Sequence, residues 1–408
     1  MNRVGIEKIY LYPGSMCLSM KDLAIARGKD PDVIVNDYLI DIRALYPPYE
    51  DTITMGANAL KPLLEDMDPN EIGMLIAGTE GGVDYGKPIS TNIIGALGLH
   101  NNIRNYETKH ACYSGIAAVD AAINWIASGL NKGKKAVVIA ADLSRKHFNT
   151  IQEFVMGGVG AAVVISETPK ILEFEPEKKG TWTTDIYDTF RPSARSEEGN
   201  NEASLYTYMD ALEGSFNDYI SKVGEIDFDT FFKKHVYHTP FPGMSFQAHR
   251  VLCNLTRPRK KAEVRESFEA KVMPVLKYAR QIGSCYASSN FVGLCGAIMQ
   301  CDDLNAGDRI GFYTYGSGAI GEFYSGIILP EARAELEKMK LDDVFASRKP
   351  ITVKDYELNE NAREKCIDNP NFTPDLSIHG NLFDEFYKGK GLLYLKKVED
   401  WRRFYDWS

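Results

Sequence analysis

Three residues in this 408-residue sequence have a type and a setting suited to catalysis: Cys112, His238 and Glu80. Cys112 follows a strand-like segment, 103–108, and precedes a run with helical spacing. A thiol at a helix N-terminus is expected to have a lowered pKa, because the helix dipole and free N–H groups stabilise the thiolate. The pattern therefore indicates a nucleophile, and the alternative is a small buried core cysteine.

His238 lies at the end of an apolar strand-like run, in the sequence Val236-Tyr-His-Thr-Pro-Phe-Pro. Pro240 and Pro242 restrict the backbone there, and a histidine in a rigid strand-end loop suits acid–base chemistry near neutral pH. The alternative is a hydrogen-bonded structural histidine. No carboxylate or thiol at metal-ligand spacing accompanies His235 and His238 in the sequence, so we expect no metal site.

Glu80 follows a buried strand, 73–78, and stands before two glycines. Partial burial of its carboxylate is expected to raise the pKa and to make Glu80 a general base. The alternative is a hydrated loop carboxylate.

A glycine-rich segment, 316–321, matches the GxGxxG letters of a dinucleotide-binding loop. The residues after it, 322–329, predict a strand, whereas dinucleotide binding needs a helix N-terminus at that point. We interpret the segment as a tight turn that brings backbone N–H groups close to a bound thioester.

The elements that must position these residues follow an α/β pattern. Buried strands are predicted at 73–78, 136–141 and 160–165, and a helix over 111–130. The segment His110-Ala-Cys-Tyr-Ser is echoed by Gly283-Ser-Cys-Tyr-Ala, and each copy lies 24 residues before the next predicted strand. The echo predicts two duplicated α/β halves: residues 1–170, a surface insertion loop over 171–202, and residues 203–408 with a C-terminal appendage.

Composition excludes several classes of function. A formal net charge of −9 argues against nucleic-acid coating, and no apolar run reaches the roughly 18 residues of a membrane span. The first residues lack the apolar core of a signal peptide. Seven scattered cysteines, an odd number without a Cys-x-x-Cys pair, indicate reduced thiols and a cytoplasmic protein.

Four segments, taken together, resemble the 3-hydroxy-3-methylglutaryl (HMG) synthases of the thiolase superfamily. They are GTEGGVDYGKPIS (78–90), ETKHACYSGIAA (107–118), YHTPFPGM (237–244) and YGSG (315–318). The resemblance implies a five-layered αβαβα body built from two similar halves, and a homodimer.

The resemblance also implies a mechanism. Cys112 takes an acetyl group from a thioester, Glu80 removes a proton from the acetyl methyl group, and the enolate attacks the β-ketone of a second thioester. His238 assists at the ketone oxygen, and water releases the product from Cys112. The backbone N–H groups of Cys112 and Ser317 are the candidate oxyanion donors, with Gly316 and Gly318 beside Ser317.

Phosphopantetheine or coenzyme A enters only as part of the substrates, so no resident cofactor is expected. Ser284 stands where the family usually has asparagine, which puts the partner of the histidine in question.

The substrate carrier is suggested by a second departure from the family. Members that use coenzyme A tend to have lysines just after the histidine, whereas Gly243, Phe246 and Gln247 stand there in this chain. A cationic cluster follows instead: Arg250, Arg257, Arg259, Lys260, Lys261 and Arg265. It is either a docking site for an acidic acyl carrier protein or a solvated helix face.

The segment 199–214 also resembles the subgroup that installs β-branches in polyketide biosynthesis. We therefore expect two carrier partners, an acetyl-loaded donor and a β-ketoacyl acceptor. The alternatives are a mevalonate-pathway synthase that uses acetyl-CoA and acetoacetyl-CoA, a decarboxylating ketoacyl synthase, and a scaffold that only binds carrier proteins.

Overall fold

The computed structural model describes residues 3–408, so the first two residues of the predicted first half lie outside the described residues. The strands are β1 (Gly5–Tyr12), β2 (Met16–Ser19), β3 (Ile42–Leu45), β4 (Ile72–Gly78), β5 (Arg104–Thr108), β6 (Lys135–Leu143), β7 (Gly158–Ser166), β8 (Leu172–Thr183), β9 (Thr189–Phe190), β10 (Glu198–Gly199), β11 (Lys234–Tyr237), β12 (Arg309–Gly316), β13 (Ile320–Ile328), β14 (Lys349–Pro350), β15 (Leu393–Glu399) and β16 (Arg402–Trp407).

The α-helices are α1 (Met20–Ala26), α2 (Thr52–Leu60), α3 (Ile89–Ala96), α4 (Ser114–Ala127), α5 (Asn201–Val223), α6 (Phe228–Phe231), α7 (Met244–Thr256), α8 (Lys261–Lys271), α9 (Ser289–Gln300), α10 (Ala332–Lys338), α11 (Leu341–Ala346), α12 (Val353–Lys365) and α13 (Leu382–Phe386). Within the described residues, no helix has the length and apolar character needed to cross a membrane.

The main sheet has the strand order β11-β12-β13-β8-β1-β7-β6-β4-β5, and this order confirms the predicted duplication. In the first half, β4 runs parallel to β6, and β6, β7 and β1 pair antiparallel in turn. In the second half, β11 runs parallel to β12, and β12, β13 and β8 repeat the antiparallel series. The halves join where β1 meets β8, over only two residue pairs.

The second half lacks a counterpart of edge strand β5. The chain between α8 and α9 forms short 3₁₀ turns at Met273–Leu276, Ala279–Gln281 and Tyr286–Ser288. A proline in the first of these turns cannot donate a ladder hydrogen bond, which disfavours a strand there.

Helices cover both faces of each half of the sheet, which gives the predicted αβαβα order of layers. Helix α2 packs on β1, β6 and β7, and α5 packs on β8, β12 and β13. Helices α4 and α9 lie between the halves, and α4 contacts the 3₁₀ turn that leads into α9. Because β4, β6, β7 and α9 are buried almost throughout, they read in the sequence as apolar runs.

The predicted surface loop over 171–202 is wrong in its first part, because β8 is an inner strand of the main sheet. Its charges misled the composition argument, since they are paired rather than solvated. Glu175 accepts hydrogen bonds from Arg309 at 2.8 Å and from Lys178 at 2.5 Å. The loop proper covers 184–200 and contains only the short strands β9 and β10.

The C-terminal region packs on the first half, so the prediction that 203–408 belongs to one half needs correction. Strand β14 pairs with β2, and β15 packs on α2. The buried Asn58 side chain on α2 donates to the Leu393 carbonyl at 3.1 Å and accepts from the Leu393 N–H at 2.7 Å. These bonds tie the predicted appendage into the body of the fold.

Candidate active site

Cys112, Glu80 and His238 come together where the two halves meet, although β4 and β11 lie near opposite ends of the strand order. Glu80 follows β4, and His238 follows β11. Cys112 lies between β5 and α4, close enough to Glu80 for the carboxylate charge to act on the thiol. Tyr315 links the two halves: its phenol interacts with Cys112, and its ring centroid lies 6.4 Å from that of His238.

Cys112 lies in a strained turn. Ala111 has a φ of 44°, in the left-handed region that side chains rarely adopt, and α4 begins three residues later at Ser114. The glycine-rich turn packs directly on it, because a Cβ atom at Gly316 would lie only 2.4 Å from the His110 carbonyl oxygen. Only glycine permits this contact between the two halves.

The predicted lowering of the Cys112 pKa is wrong in direction. Burial raises the pKa of the thiol well above its usual range, and the charges of Glu80 and Asp142 raise it further, whereas Arg191 opposes them. The helix begins two residues beyond Cys112, so the dipole acts from a distance, while burial and two carboxylates act directly. The Cys112 thiol is therefore neutral at pH 7.

The raised pKa predicted for Glu80 is confirmed. Burial raises the pKa of Glu80 to about 8; Arg191 opposes the rise, and Asp142 and Glu197 add to it. The Arg191 Nη2 atom donates to the Glu80 Oε1 atom at 3.2 Å. A buried carboxylic acid with a pKa near the working pH is suited to accept and return a proton.

Asp142 supports the Glu80 loop from the end of β6. Its Oδ1 atom accepts from the Thr79 hydroxyl at 2.7 Å and from the Glu80 N–H at 2.9 Å, and its Oδ2 atom accepts from the Ala287 N–H at 3.3 Å. In the sequence, Asp142 follows the predicted strand 136–141, as Glu80 follows the predicted strand 73–78, so the same strand-end signal could have identified it.

The loop over 184–200 supplies two further functional residues that composition did not reveal. Asp188 accepts from the Tyr315 hydroxyl at 2.6 Å and from the Gly318 N–H at 2.9 Å, which fixes the glycine-rich turn. Arg191 reaches Glu80. The one loop therefore contacts both the candidate base and the candidate oxyanion turn.

The segment 316–321 lies in the β12–β13 hairpin, and the strand predicted after it is confirmed as β13. The oxyanion role of the Ser317 N–H, beside Gly316 and Gly318, stays a prediction.

His238 is buried and electrically neutral. Burial lowers its pKa to about 3, and its Nδ1 atom has no hydrogen-bond partner in the structure. Its backbone is fixed on both sides, since its N–H donates to the Tyr313 carbonyl at 2.7 Å and its carbonyl accepts from the Tyr208 hydroxyl at 2.8 Å. The His238 side chain is therefore a neutral imidazole and not an imidazolium.

The second-half turn differs from the first in register. Tyr286 has a φ of 46° and precedes α9 by three residues, as Ala111 precedes α4. The structural counterpart of Cys112 is thus Ala287, and Cys285 is two residues out of register. Cys285 is buried, and burial raises the pKa of its thiol to about 12. Ser284 is buried and donates its N–H to the Val155 carbonyl at 2.9 Å; its role toward His238 stays a prediction.

The six predicted carrier-binding cations lie on α7, α8 and the loop between them, but they are not equivalent. Arg259 has only 3% of its side chain exposed and bonds to Asp229 at 2.6 Å, so its assignment to a docking surface is wrong. Arg257 is paired with Asp229 and Glu263. We define the basic patch as the exposed cations Arg250, Lys260, Lys261 and Arg265.

A cavity of about 160 Å³ lies behind the Glu80 loop and is closed by the C-terminal region. Gly81, Arg145 and Arg363 line it, together with residues of β15 and β16. Burial lowers the pKa of Arg145 to about 10, and Arg191 and Arg363 lower it further. The C-terminal region thus encloses the polar side of the site. Among residues 3–408, no group of three His, Cys, Asp or Glu side chains could hold a metal ion.

The duplicated sheet, the cysteine in a strand-to-helix turn, and the Glu and His side chains that follow corresponding strands of the two halves define a thiolase-type acyl-transfer enzyme. The family model for the N-terminal part of hydroxymethylglutaryl-coenzyme A synthase matches residues 3–170, and the model for the C-terminal part matches residues 254–408. The chain belongs to the hydroxymethylglutaryl-coenzyme A synthase family, so the resemblance found in the sequence is confirmed.

The relatives include members of both substrate classes. The chain is 31% identical, over the full length of both, to the polyketide biosynthesis 3-hydroxy-3-methylglutaryl-ACP synthase PksG of Bacillus subtilis (strain 168). It is 34% identical, with a TM-score of 0.96 and full coverage of both chains, to the curacin biosynthetic pathway HMG synthase in complex with holo donor-ACP. MvaS in complex with 3-hydroxy-3-methylglutaryl coenzyme A gives 31% identity and a TM-score of 0.89, with full coverage of both chains.

Substitution of Glu80 tests the charge coupling at the nucleophile. Since ionised Glu80 raises the pKa of Cys112, we expect Glu80→Gln to lower that pKa and to speed alkylation of Cys112 by iodoacetamide at pH 9. Each unit of pKa changes the thiolate fraction about tenfold. Peptide mass spectrometry measures the rate at Cys112. The matched control, Asp84→Asn, changes an exposed carboxylate in the same loop and should leave the rate unaltered; an unaltered rate in Glu80→Gln contradicts the coupling.

Proposed function

We propose that this protein is an HMG-type synthase of polyketide β-branching. It condenses a Cys112-bound acetyl group with the β-ketone of a β-ketoacyl thioester held on an acyl carrier protein. The observation that carries the carrier preference is the absence of Lys and Arg from 239–249, directly after His238. The phosphates of coenzyme A require cations, whereas carrier-bound phosphopantetheine lacks the 3′-phospho-ADP part. The printed names of the Bacillus subtilis and curacin relatives support this proposal.

Acetyl transfer begins at the neutral Cys112 thiol. Its sulfur attacks the acetyl thioester, its proton passes to the departing phosphopantetheine sulfur, and the acetyl group remains on Cys112. The backbone N–H groups of Cys112 and Ser317 are the proposed donors to the oxyanion that forms in this step. Acetylation removes the thiol from the site and leaves Glu80 as the acid–base group nearest the acetyl methyl.

Condensation needs the ionised form of Glu80. Its carboxylate takes a proton from the acetyl methyl group, and the enolate carbon bonds to the β-carbon of the acceptor. The ketone oxygen gains negative charge and accepts a hydrogen bond from neutral His238 before it is protonated. Because the pKa of Glu80 is raised to about 8, the rate of condensation should rise with pH until Glu80 is fully ionised. Water then cleaves the thioester at Cys112.

The state and setting of the protein are further parts of the proposal. A homodimer is supported by β5, an edge strand whose outer hydrogen-bonding groups are available for pairing with a second copy. A solution mass twice the 45.7 kDa of the chain is the check. A cytoplasmic location is supported by seven free cysteines. No cofactor is proposed beyond the phosphopantetheine of the substrates.

Intact-protein mass spectrometry tests the function. The enzyme is mixed separately with acetyl-loaded donor carrier protein and with acetyl-CoA, and then with a β-ketoacyl acceptor carrier protein. We expect an acetyl adduct on Cys112 from the carrier protein, little adduct from acetyl-CoA, and a gain of one acetic acid equivalent on the acceptor. Efficient acetylation by acetyl-CoA followed by condensation with acetoacetyl-CoA would instead place the enzyme in mevalonate metabolism.

Two variants serve as controls for this experiment. Cys112→Ala should form no adduct with either donor. Glu80→Ala should still be acetylated at Cys112 but should not condense, because only the second step requires the base. Loss of acetylation in Glu80→Ala would contradict the assigned role.

The basic patch gives a separate prediction about the carrier. Replacement of Lys260 and Lys261 together by Glu should raise the KM for the acetyl-loaded carrier protein several-fold, because like charges repel an acidic partner. Acetylation of Cys112 by acetyl-pantetheine should not change. Lys388→Glu reverses an exposed charge elsewhere and is the matched control. Equal KM values in all three proteins would show that the patch is only a solvated face.

A further inference from the structure

Arg191 is the residue through which the loop over 184–200 reaches Glu80. Its Nη2 atom lies 3.2 Å from the Glu80 Oε1 atom and 3.4 Å from the Glu197 Oε1 atom. Its Cζ atom lies 5.8 Å from the centroid of the Tyr286 ring. The guanidinium is therefore fixed between two carboxylates and an aromatic ring.

Glu197 anchors Arg191 from the far side. Burial alone would raise the pKa of Glu197, but Arg191 and a hydrogen bond from His147 outweigh it and lower the pKa to about 2. The His147 Nε2 atom lies 3.1 Å from the Glu197 Oε2 atom. Glu197 is thus a permanent anion, and the pKa of Arg191 is raised by Glu80 and Glu197 despite burial. Arg191 and Glu197 therefore keep their charges near pH 7, whereas Glu80 titrates in that range.

The charges around Glu80 come from four elements. Arg191 and Glu197 lie on the loop over 184–200. Asp142 lies near the end of β6, and Arg145 follows that strand. Cys112 lies in the turn before α4, and Tyr286 lies in the turn before α9. Burial and the two acidic neighbours favour the protonated form of Glu80. Arg191 opposes them most strongly, and it is the cation that bonds directly to the Glu80 carboxylate.

We propose that Arg191 is a positioning residue for the general base: its guanidinium, held by Glu197, orients the Glu80 carboxylate and favours its ionised form for proton abstraction. In that step the methyl C–H bond breaks, the proton goes to a Glu80 oxygen, and the electron pair forms the enolate of the Cys112 thioester. The inference rests on the proposed role of Glu80. In this proposal Arg191 acts through Glu80 and not directly on the acetyl group or the acceptor.

Proton exchange on the acetyl-enzyme isolates this step. Enzyme acetylated at Cys112 is transferred to D₂O without acceptor, and deuterium entry into the acetyl methyl is followed by mass spectrometry across a range of pH. In Arg191→Ala we expect the rising limb of the exchange profile to move upward by at least one pH unit. That shift gives about a tenfold or greater loss at pH 7, which is recovered at high pH. A limb at the wild-type position with a uniformly lower rate would overturn the proposal.

Two further variants separate charge from folding. Arg191→Lys retains a cation and should keep the limb near its wild-type position, even where the rate is lower. Arg195→Ala removes an exposed cation of the same loop that bonds to the Ile367 carbonyl instead, and it should leave the profile unchanged. A limb that moves equally in Arg191→Lys or in Arg195→Ala would overturn the proposal.

The exchange experiment is independent of the carrier assignment, because it uses no acceptor. If exchange in the wild-type enzyme follows the expected profile but no β-ketoacyl carrier protein is consumed, the proposed substrate fails while the role of Arg191 stands.

Discussion

The burial of ionisable groups is the constraint on which this site depends. Glu80, Asp142 and Cys112 lie close together with little access to water, and burial by itself favours the uncharged form of each. A fixed cation nearby favours the ionised form of each. Arg191 supplies that charge, and the loop that carries it is held by Glu197 and His147. The proposed chemistry thus depends on a segment outside the sequence motifs that contain Glu80, Cys112 and His238.

The duplicated fold explains how such a site arises. Each half ends its parallel strands at the same edge, and each has a left-handed residue before its inner helix. The first half has the candidate base and the candidate nucleophile at these positions, whereas the second has a neutral histidine and a structural turn. Gly115 marks the contact between them, because a Cβ atom there would lie 2.4 Å from the Ala287 carbonyl oxygen. Divergence of the two halves placed different chemistry on one interface.

Much of the fold and the central residues could be predicted from the sequence. Strand-end position identified Glu80 and His238, the strand-to-helix turn identified Cys112, and the echo predicted the duplication. Strand β8 was missed because paired charges such as Glu175 with Arg309 have the same composition as a solvated loop. Arg191 and Asp188 were missed, and the buried Arg259 was assigned to a docking surface, for the same reason: composition does not show which charged residue pairs with which partner.

The pKa shifts of Cys112 and Glu80 show a second limit of prediction from the sequence. The lowered pKa expected for Cys112 rested on the helix dipole, which is a local effect. The pKa is instead raised by burial and by carboxylates at the ends of β4 and β6, which only the tertiary structure brings together. The raised pKa of Glu80 could be predicted because burial is its largest cause, and burial can be inferred from the apolar strand before Glu80.

The central claim, that the candidate base is a buried carboxyl group with a strongly raised pKa, can be measured directly by infrared spectroscopy. Difference spectra between the wild-type protein and Glu80→Gln isolate the bands of one carboxyl group as the pH is changed. The structure predicts that the protonated carboxyl band disappears with a midpoint near pH 8. A midpoint near 4.5, the ordinary value for glutamate, would show that Glu80 is hydrated and would contradict the account.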